Sequence, residues 1–386
     1  MQVYLIVFFL STLFLYFSEK FKGKKIKRFY LFLGLILPCF LGGIRHYSIG
    51  TDVSVYLKPL YLNVLTSYSF TNFLSSCWWD IWTYKHVANF EYGFNLIVYF
   101  VTRWTENFQL LMFTIQTLII LPIYFGLKKY KELEGKTWFA MLTFYLLLYN
   151  NSYNVMRQYI GISMLFYGAS CLLNEKKTIK FFVFLTIAFL FHKSSLMGIA
   201  IYILYKIFNS KSKNGTKLII GEHKLNVRNI FIVMLLLIGI LMISNLSQIV
   251  ELLDYIGLTR YIGYISGEVY FKSTNLIKIL PVIFLFILNR KSFFTKSKNS
   301  HLLVIFFCID FLSTYLSSVN IYAARIGYLF QIFSIISYTH IVFSTENKIV
   351  KRFNKIFMLA YLIYYWYFTY VQGGAGHTVP FMPYWN

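Results

Sequence analysis

The chain of 386 residues is 58% hydrophobic and 21% aromatic, with 13% charged residues and a mean hydropathy of +0.59. Soluble domains carry about 25% charged residues, so the composition excludes a soluble enzyme and reads as an all-α, polytopic integral membrane protein. The net charge of +23 sits in short clusters between apolar runs, which follows from the positive-inside rule and leaves no contiguous basic surface for nucleic acid.

The first apolar run, 2–18, has no basic segment before it and no small-residue cleavage site after it, so it reads as a retained helix. Further spans are expected at 29–44, 107–127, 137–150, 158–173, 179–191, 194–208, 229–247, 275–290, 301–318, 326–344 and 354–371. Their lengths approach the ~20 residues a bilayer requires, and they form one transmembrane domain over 1–386 with about 12–14 helices. Basic clusters lie at Lys20–Arg28, Lys128–Lys136, Lys176–Lys180, Lys206–Arg228, Arg290–Lys298 and Lys348–Lys355. Twelve crossings put all of them on one face, expected to be cytoplasmic, with both termini outward.

The segment Glu91–Arg103 (EYGFNLIVYFVTR) is apolar but short. Counted as a crossing, it would put every later basic cluster on the wrong side. It is either a re-entrant or partly buried helix, or a true span accompanied by a hidden crossing in 53–80. The outer face then carries two large loops, about 45–90 and 248–275, the first rich in Trp, Tyr, Ser and Asn. The cysteines Cys39, Cys77, Cys171 and Cys308 have neither metal nor redox spacing.

Polar residues gather where spans end. The stretch GGIRHYSIGTDVSVY (42–56) holds Arg45, Asp52 and Tyr56; NNSYNVMRQY runs into Arg157 and Gln158; FHKSS holds His192 and Lys193; VNIYAARIGY holds Arg325. Ionisable groups at membrane depth are costly and mark functional sites. Each arginine could instead snorkel to headgroups, and Asn150, Asn151 and Asn154 read first as turn and cap residues. Asp310, inside an apolar run, could pair with a buried cation or relay protons. Together, three arginines from distant segments suit the oxygens of a diphosphate, and a histidine suits proton abstraction. Lys85, His86 and Glu91 read as solvated loop residues.

GIRHYSIGTDVSVY, NSYNVMRQYIGISMLFYGASCLL, FLTIAFLFHKSSLMGIAIYIL and the ending VPFMPYWN together resemble the EpsG family of bacterial exopolysaccharide proteins, which belong with the Wzy-type O-antigen and capsule polymerases. The matching positions are Arg45, Gly50, Thr51, Asp52 and Tyr56, then Arg157 and Gln158, then His192, Lys193, Ser194 and Ser195, and finally Pro383 and Tyr384. The resemblance implies a GT-C-like architecture in the bacterial inner membrane, with the active site on the extracytoplasmic face. It also implies metal-independent glycosyl transfer, without a cofactor, between undecaprenyl-diphosphate-linked oligosaccharides. Membrane lipids and a chain-length regulator are the further partners. In the expected mechanism Arg157, Arg325 and Arg45 hold the diphosphate, with Gln158, Tyr56 and Lys193 in the binding set. His192 acts as base and Asp52 assists it, or Asp52 is a structural cap paired to Arg45. An O-antigen ligase or a lipid-linked oligosaccharide flippase is the alternative.

Overall fold

The computed structural model describes residues 1–80, 83–209, 217–220, 223–226, 273–316 and 321–385. The span expected at 229–247 and nearly all of the loop 248–275 lie outside the described residues.

The chain is helical almost throughout. Helices α1 (Gln2–Lys20) and α2 (Lys24–Gly43) form an antiparallel pair. A π-helical turn (Val53–Leu57) runs into α3 (Lys58–Thr66), followed by α4 (Phe70–Ser75) and a two-stranded hairpin of β1 (Cys77–Trp79) and β2 (Tyr84–His86). Then come α5 (Tyr92–Thr105), α6 (Phe108–Leu127), α7 (Thr137–Phe144), α8 (Met156–Glu175), α9 (Thr178–Phe191) and α10 (Gly198–Asn209). A second hairpin pairs β3 (Lys217–Ile220) with β4 (His223–Asn226). The last helices are α11 (Ser273–Lys296), α12 (Ser300–Leu316), α13 (Ile321–Gln331), α14 (Ser334–Ser344) and α15 (Lys348–Trp366).

Among the described residues, Gln2–Lys20, Lys24–Gly43, Phe108–Leu127 and Gly327–Ser344 are long and apolar enough to cross a membrane. Several expected spans are shorter helices, such as α7 and α9. The family of α1, α2, α6, α8 and α9 packs side by side, with α6 against both α2 and α8. Glycine sets these distances. A Cβ on Gly42 would meet Gln116 Cγ at 2.7 Å, and one on Gly43 would meet Phe113 Cβ at 2.8 Å. Gly42 and Gly43 therefore let α2 approach α6. Of the glycines in this stretch, Gly50, at φ +88, makes the turn that other residues would strain.

One end of the bundle is basic. Lys128 reaches Glu19 at 3.4 Å, Lys129 reaches Glu175 at 2.7 Å, Lys296 reaches Glu346 at 2.9 Å, and Lys298 donates to the Asn174 carbonyl at 3.3 Å. These contacts gather the ends of α1, α6, α8, α11 and α14, so five of the six basic clusters share one face. Of the sixth, Lys206–Arg228, three of the six basic residues (Lys211, Lys213 and Arg228) lie outside the described residues. The segments with Arg45, Asp52, Arg157 and His192 sit at the opposite ends of the same helices.

Helix α5 does not cross. At its start, a Cβ on Gly93 would meet the Leu190 carbonyl at 2.8 Å, two residues before His192. At its end, the Glu106 carbonyl accepts from Tyr61, and Asn107 caps α6 through the Leu110 amide at 2.9 Å. The start of α6 lies beside Gly43. Both ends of α5 are thus on the face away from the basic clusters. Its 14 residues make a rod of about 21 Å laid across that face. The segment 53–80 holds no hidden crossing, because the continuous helix over 53–66 lies against α5, with Tyr61 on the Glu106 carbonyl, and α4 has six residues.

Candidate active site

The site is assembled on the start of α8. Turn 150–155 is fastened to the opening loop by Asn154, whose Oδ1 accepts from the Thr51 amide at 2.8 Å and from its hydroxyl at 3.2 Å. That contact aims the next residue, Asp52, at the first amide of α8. Asp52 Oδ2 accepts from Met156 N–H at 3.3 Å and from the Tyr56 hydroxyl, one helical turn along. A carboxylate at a helix N-terminus satisfies an orphan donor and the positive end of the dipole. Burial raises the Asp52 carboxyl to about 6, against the opposing pull of Tyr56, Arg157, the Met156 amide and Arg325. Asp52 is therefore the cap of α8, and it is not paired with Arg45.

Arg157, the second residue of α8, makes an ion pair through Nη1 with Glu91 Oε2, and its guanidinium lies over the rings of Phe90 (4.6 Å) and Tyr56 (5.0 Å). Trp78 of the first hairpin stacks on the far side of this group, 5.6 Å from Phe90. Glu91 is the residue before α5. As a loop carboxylate it looked solvated in the sequence, yet its side chain is only 10% exposed. The available signal was its place just ahead of an apolar, Gly-containing helix start.

His192 ends α9. A Cβ on Gly161, one turn beyond Arg157 on α8, would come within 2.6 Å of Ser195 Oγ and 3.6 Å of His192 Cβ. That close approach sets the histidine beside the arginine. The backbone N–H of Ser194 donates to His192 Nδ1 at 3.3 Å, and Ser194 Oγ lies 2.6 Å from the same atom. A ring nitrogen that accepts carries no proton, so the neutral ring presents Nε2–H outward. Burial lowers the ring to about 4, opposed by Glu91 and aided by Arg157 and Arg325, so it is neutral at physiological pH. With Nδ1 accepting the Ser194 amide and the proton on Nε2, His192 has no free ring nitrogen for the expected role as base.

Arg325 arrives from α13, half-buried and close enough to Asp52 and His192 to act on both electrostatically. Gln158 anchors it, donating to the Arg325 carbonyl at 2.6 Å and to Ser194 Oγ at 3.4 Å. Gln158 is buried and ties the start of α8 to Ser194 and to α13. Tyr56 is likewise buried beneath Arg157.

Arg45 is also corrected. It is fully buried, with its guanidinium 3.7 Å from the Tyr153 ring centre and Nη2 at 3.5 Å from Met156 Sδ. The C-terminal segment covers it: His46 donates to Met382 O at 2.8 Å, and Tyr384 to Ile44 O at 2.9 Å. It stiffens the turn before α8 and has no route to a diphosphate. Lys193 is exposed on the rim of a cup of about 540 Å³ bounded by Glu91, Phe90, Tyr92, Phe189 and Leu190. Asp310 lies apart, in a narrow pocket with Gln331, Tyr338, Tyr361 and Tyr365.

The arrangement therefore places Arg157, Arg325, Lys193, Glu91, Asp52 and the His192 Nε2–H around one end of the bundle. The protein-family model for the EpsG family matches residues 27–386, nearly the whole chain. The chain belongs to the EpsG family. Neither a curated protein nor a solved structure matches it. Membership puts this EpsG protein among the membrane proteins of polysaccharide biosynthesis, a family associated with polymerase-type proteins.

Proposed function

We propose that this EpsG protein is a glycosyltransferase that polymerises oligosaccharide repeat units carried on undecaprenyl diphosphate, at the extracytoplasmic face of the bacterial inner membrane. The observation that carries the reading is the convergence of Arg157 and Arg325, 167 residues beyond Gln158's helix turn, at the end of the bundle opposite the basic clusters. The positive-inside rule assigns the basic end to the cytoplasm, which turns the arginines outward.

In this mechanism the growing chain is the donor. Its reducing-end sugar leaves the lipid diphosphate, and a hydroxyl of the next lipid-linked repeat attacks. Negative charge develops on the departing diphosphate. Two guanidinium groups, one aimed by a helix cap and the other on a backbone that Gln158 holds, are preorganised to stabilise it. The His192 Nε2–H adds a neutral donor to the same face. The carbohydrate can stack on the Trp78–Phe90 aromatic group, and Asp52 maintains the start of α8 that aims Arg157.

The test is elongation of purified lipid-linked repeats by the protein in lipid vesicles, together with the lipid-linked glycans of a deletion strain. Polymerase action predicts ladders of repeats in vitro and accumulation of single lipid-linked repeats in the strain. Full-length polymer lacking its final attachment would instead assign a ligase, and repeats confined to the cytoplasmic leaflet a flippase.

A further inference from the structure

Glycosyl transfer to a sugar hydroxyl requires a group that removes its proton, and the two residues the sequence offered for this are already engaged. His192 accepts a backbone hydrogen bond at Nδ1 and carries its proton on Nε2. Asp52 Oδ2 holds both the Tyr56 hydroxyl and the first amide of α8.

Glu91 is different. Arg157 binds Oε2, and among the described residues Oε1 takes no hydrogen bond. Glu91 is one of the residues that line the 540 Å³ cup between the start of α5 and the end of α9. This cup is amphipathic. Asn89, Glu91 and Lys193 line it on one side, while Phe189 and Leu190, 37% and 42% exposed, form an apolar wall on the flank of α9. Tyr92, 54% exposed, adds an aromatic ring to the lining. A cavity with an apolar flank at the end of a membrane helix, an aromatic side chain, and an ammonium and a carboxylate residue fits a sugar joined through phosphate to a lipid.

We propose that this cup receives the acceptor sugar and that Glu91 removes the proton from the attacking hydroxyl; the inference rests on the polymerase reading above. The hydroxyl proton passes to Glu91 Oε1, and the oxygen forms its bond to the anomeric carbon of the donor. The bond from that carbon to the diphosphate oxygen breaks, and its electron pair stays on the diphosphate beside Arg157 and Arg325. The protonated Glu91 then returns its proton to water. Arg157 thus links the two halves of the reaction: it orients the carboxylate that activates the acceptor and lies next to the leaving group. Lys193, on the rim, offers its charge to the acceptor's own phosphate.

The experiment measures elongation of lipid-linked repeats in vesicles by the wild type, Glu91→Gln and Glu91→Ala, the last with and without added formate. The expected result is a loss of about 10²–10⁴-fold in rate for both variants, the range of a general base. Binding of the lipid-linked donor should stay within threefold, and formate should restore part of the Glu91→Ala rate by acting as a diffusible carboxylate in the vacated space. Glu91→Gln within threefold of an active wild type overturns the inference and leaves the polymerase reading standing. A loss without formate rescue assigns Glu91 to holding Arg157 and also overturns it. A wild type that elongates nothing overturns the polymerase reading and this inference with it.

Discussion

Arg157 and Glu91, 66 positions apart in the chain, close an ion pair over the rings of Tyr56 and Phe90. The pair joins the start of α8 to the start of α5, so a helix that lies across the membrane face is tied to one that runs through the bundle. Removing either partner leaves the other charge poorly solvated.

Arg157→Ala is expected to slow elongation by about 10²–10³-fold, the usual effect of removing one preorganised donor from a developing anion. Arg157→Lys should recover only part of this, because a point charge lacks the planar fork. The structural half of the role has its own signature. The double variant Glu91→Ala/Arg157→Ala should melt higher than Arg157→Ala alone, since an orphaned carboxylate costs more than an absent pair. Equal melting temperatures would mean that the pair carries no coupling.

Asp52 gives a pH signature. Its folded carboxyl titrates near 6, against 3.8 for the ordinary group, chiefly because it is buried. The folded state then binds the proton more tightly than the unfolded chain. Ionising Asp52 costs folding stability, a cost absent below about pH 4 and complete above about pH 6. Asp52→Asn carries no such cost. The melting temperature of Asp52→Asn minus that of the wild type should therefore rise between pH 4 and pH 7. A difference that stays constant over this window would show that burial does not perturb the group.

Arg45→Ala should act on folding. It removes a cation stacked on Tyr153 and opens a cavity under the C-terminal segment, together about 2–4 kcal/mol. The expected outcome is a lower melting temperature, with elongation per folded molecule falling far less than in Arg157→Ala. A folded Arg45→Ala protein with an equally large rate loss would return this arginine to the ligand site.

The placement of α5 is checked by cysteine labelling with a membrane-impermeant maleimide. Tyr92 and Trp104, near its two ends, are 54% and 86% exposed. Tyr92→Cys and Trp104→Cys should label from the same side of the membrane, and Lys131→Cys, among the basic clusters, from the opposite side. Labelling of the first two from opposite sides would make α5 a crossing.

Much of the site was legible because polarity is anomalous at the ends of apolar runs. Arg157, His192, Asp52 and Arg325 stood out for that reason, and the structure brings their segments together. The same rule misplaced Arg45, because composition does not distinguish an arginine facing a ligand from one buried on a tyrosine ring. It also passed over Glu91, because a carboxylate in a polar loop is unremarkable until the partner across the fold is known. His192 was recognised as a residue but not in its chemistry, which depends on which ring nitrogen the Ser194 amide occupies.

By itself, the sequence determined the all-α membrane class, the spans at 2–18, 29–44, 107–127 and 326–344, and the separation of basic clusters from the site segments. These follow from hydropathy and charge, which are summed along the chain and need no partner. Only the tertiary structure decided that α5 lies across the face, that Gly42 and Gly43 serve helix packing, and that GGIRHYSIGTDVSVY supplies a helix cap in Asp52 and a buried brace in Arg45. Those outcomes depend on close approaches between residues far apart in the chain, and such distances have no trace in local composition.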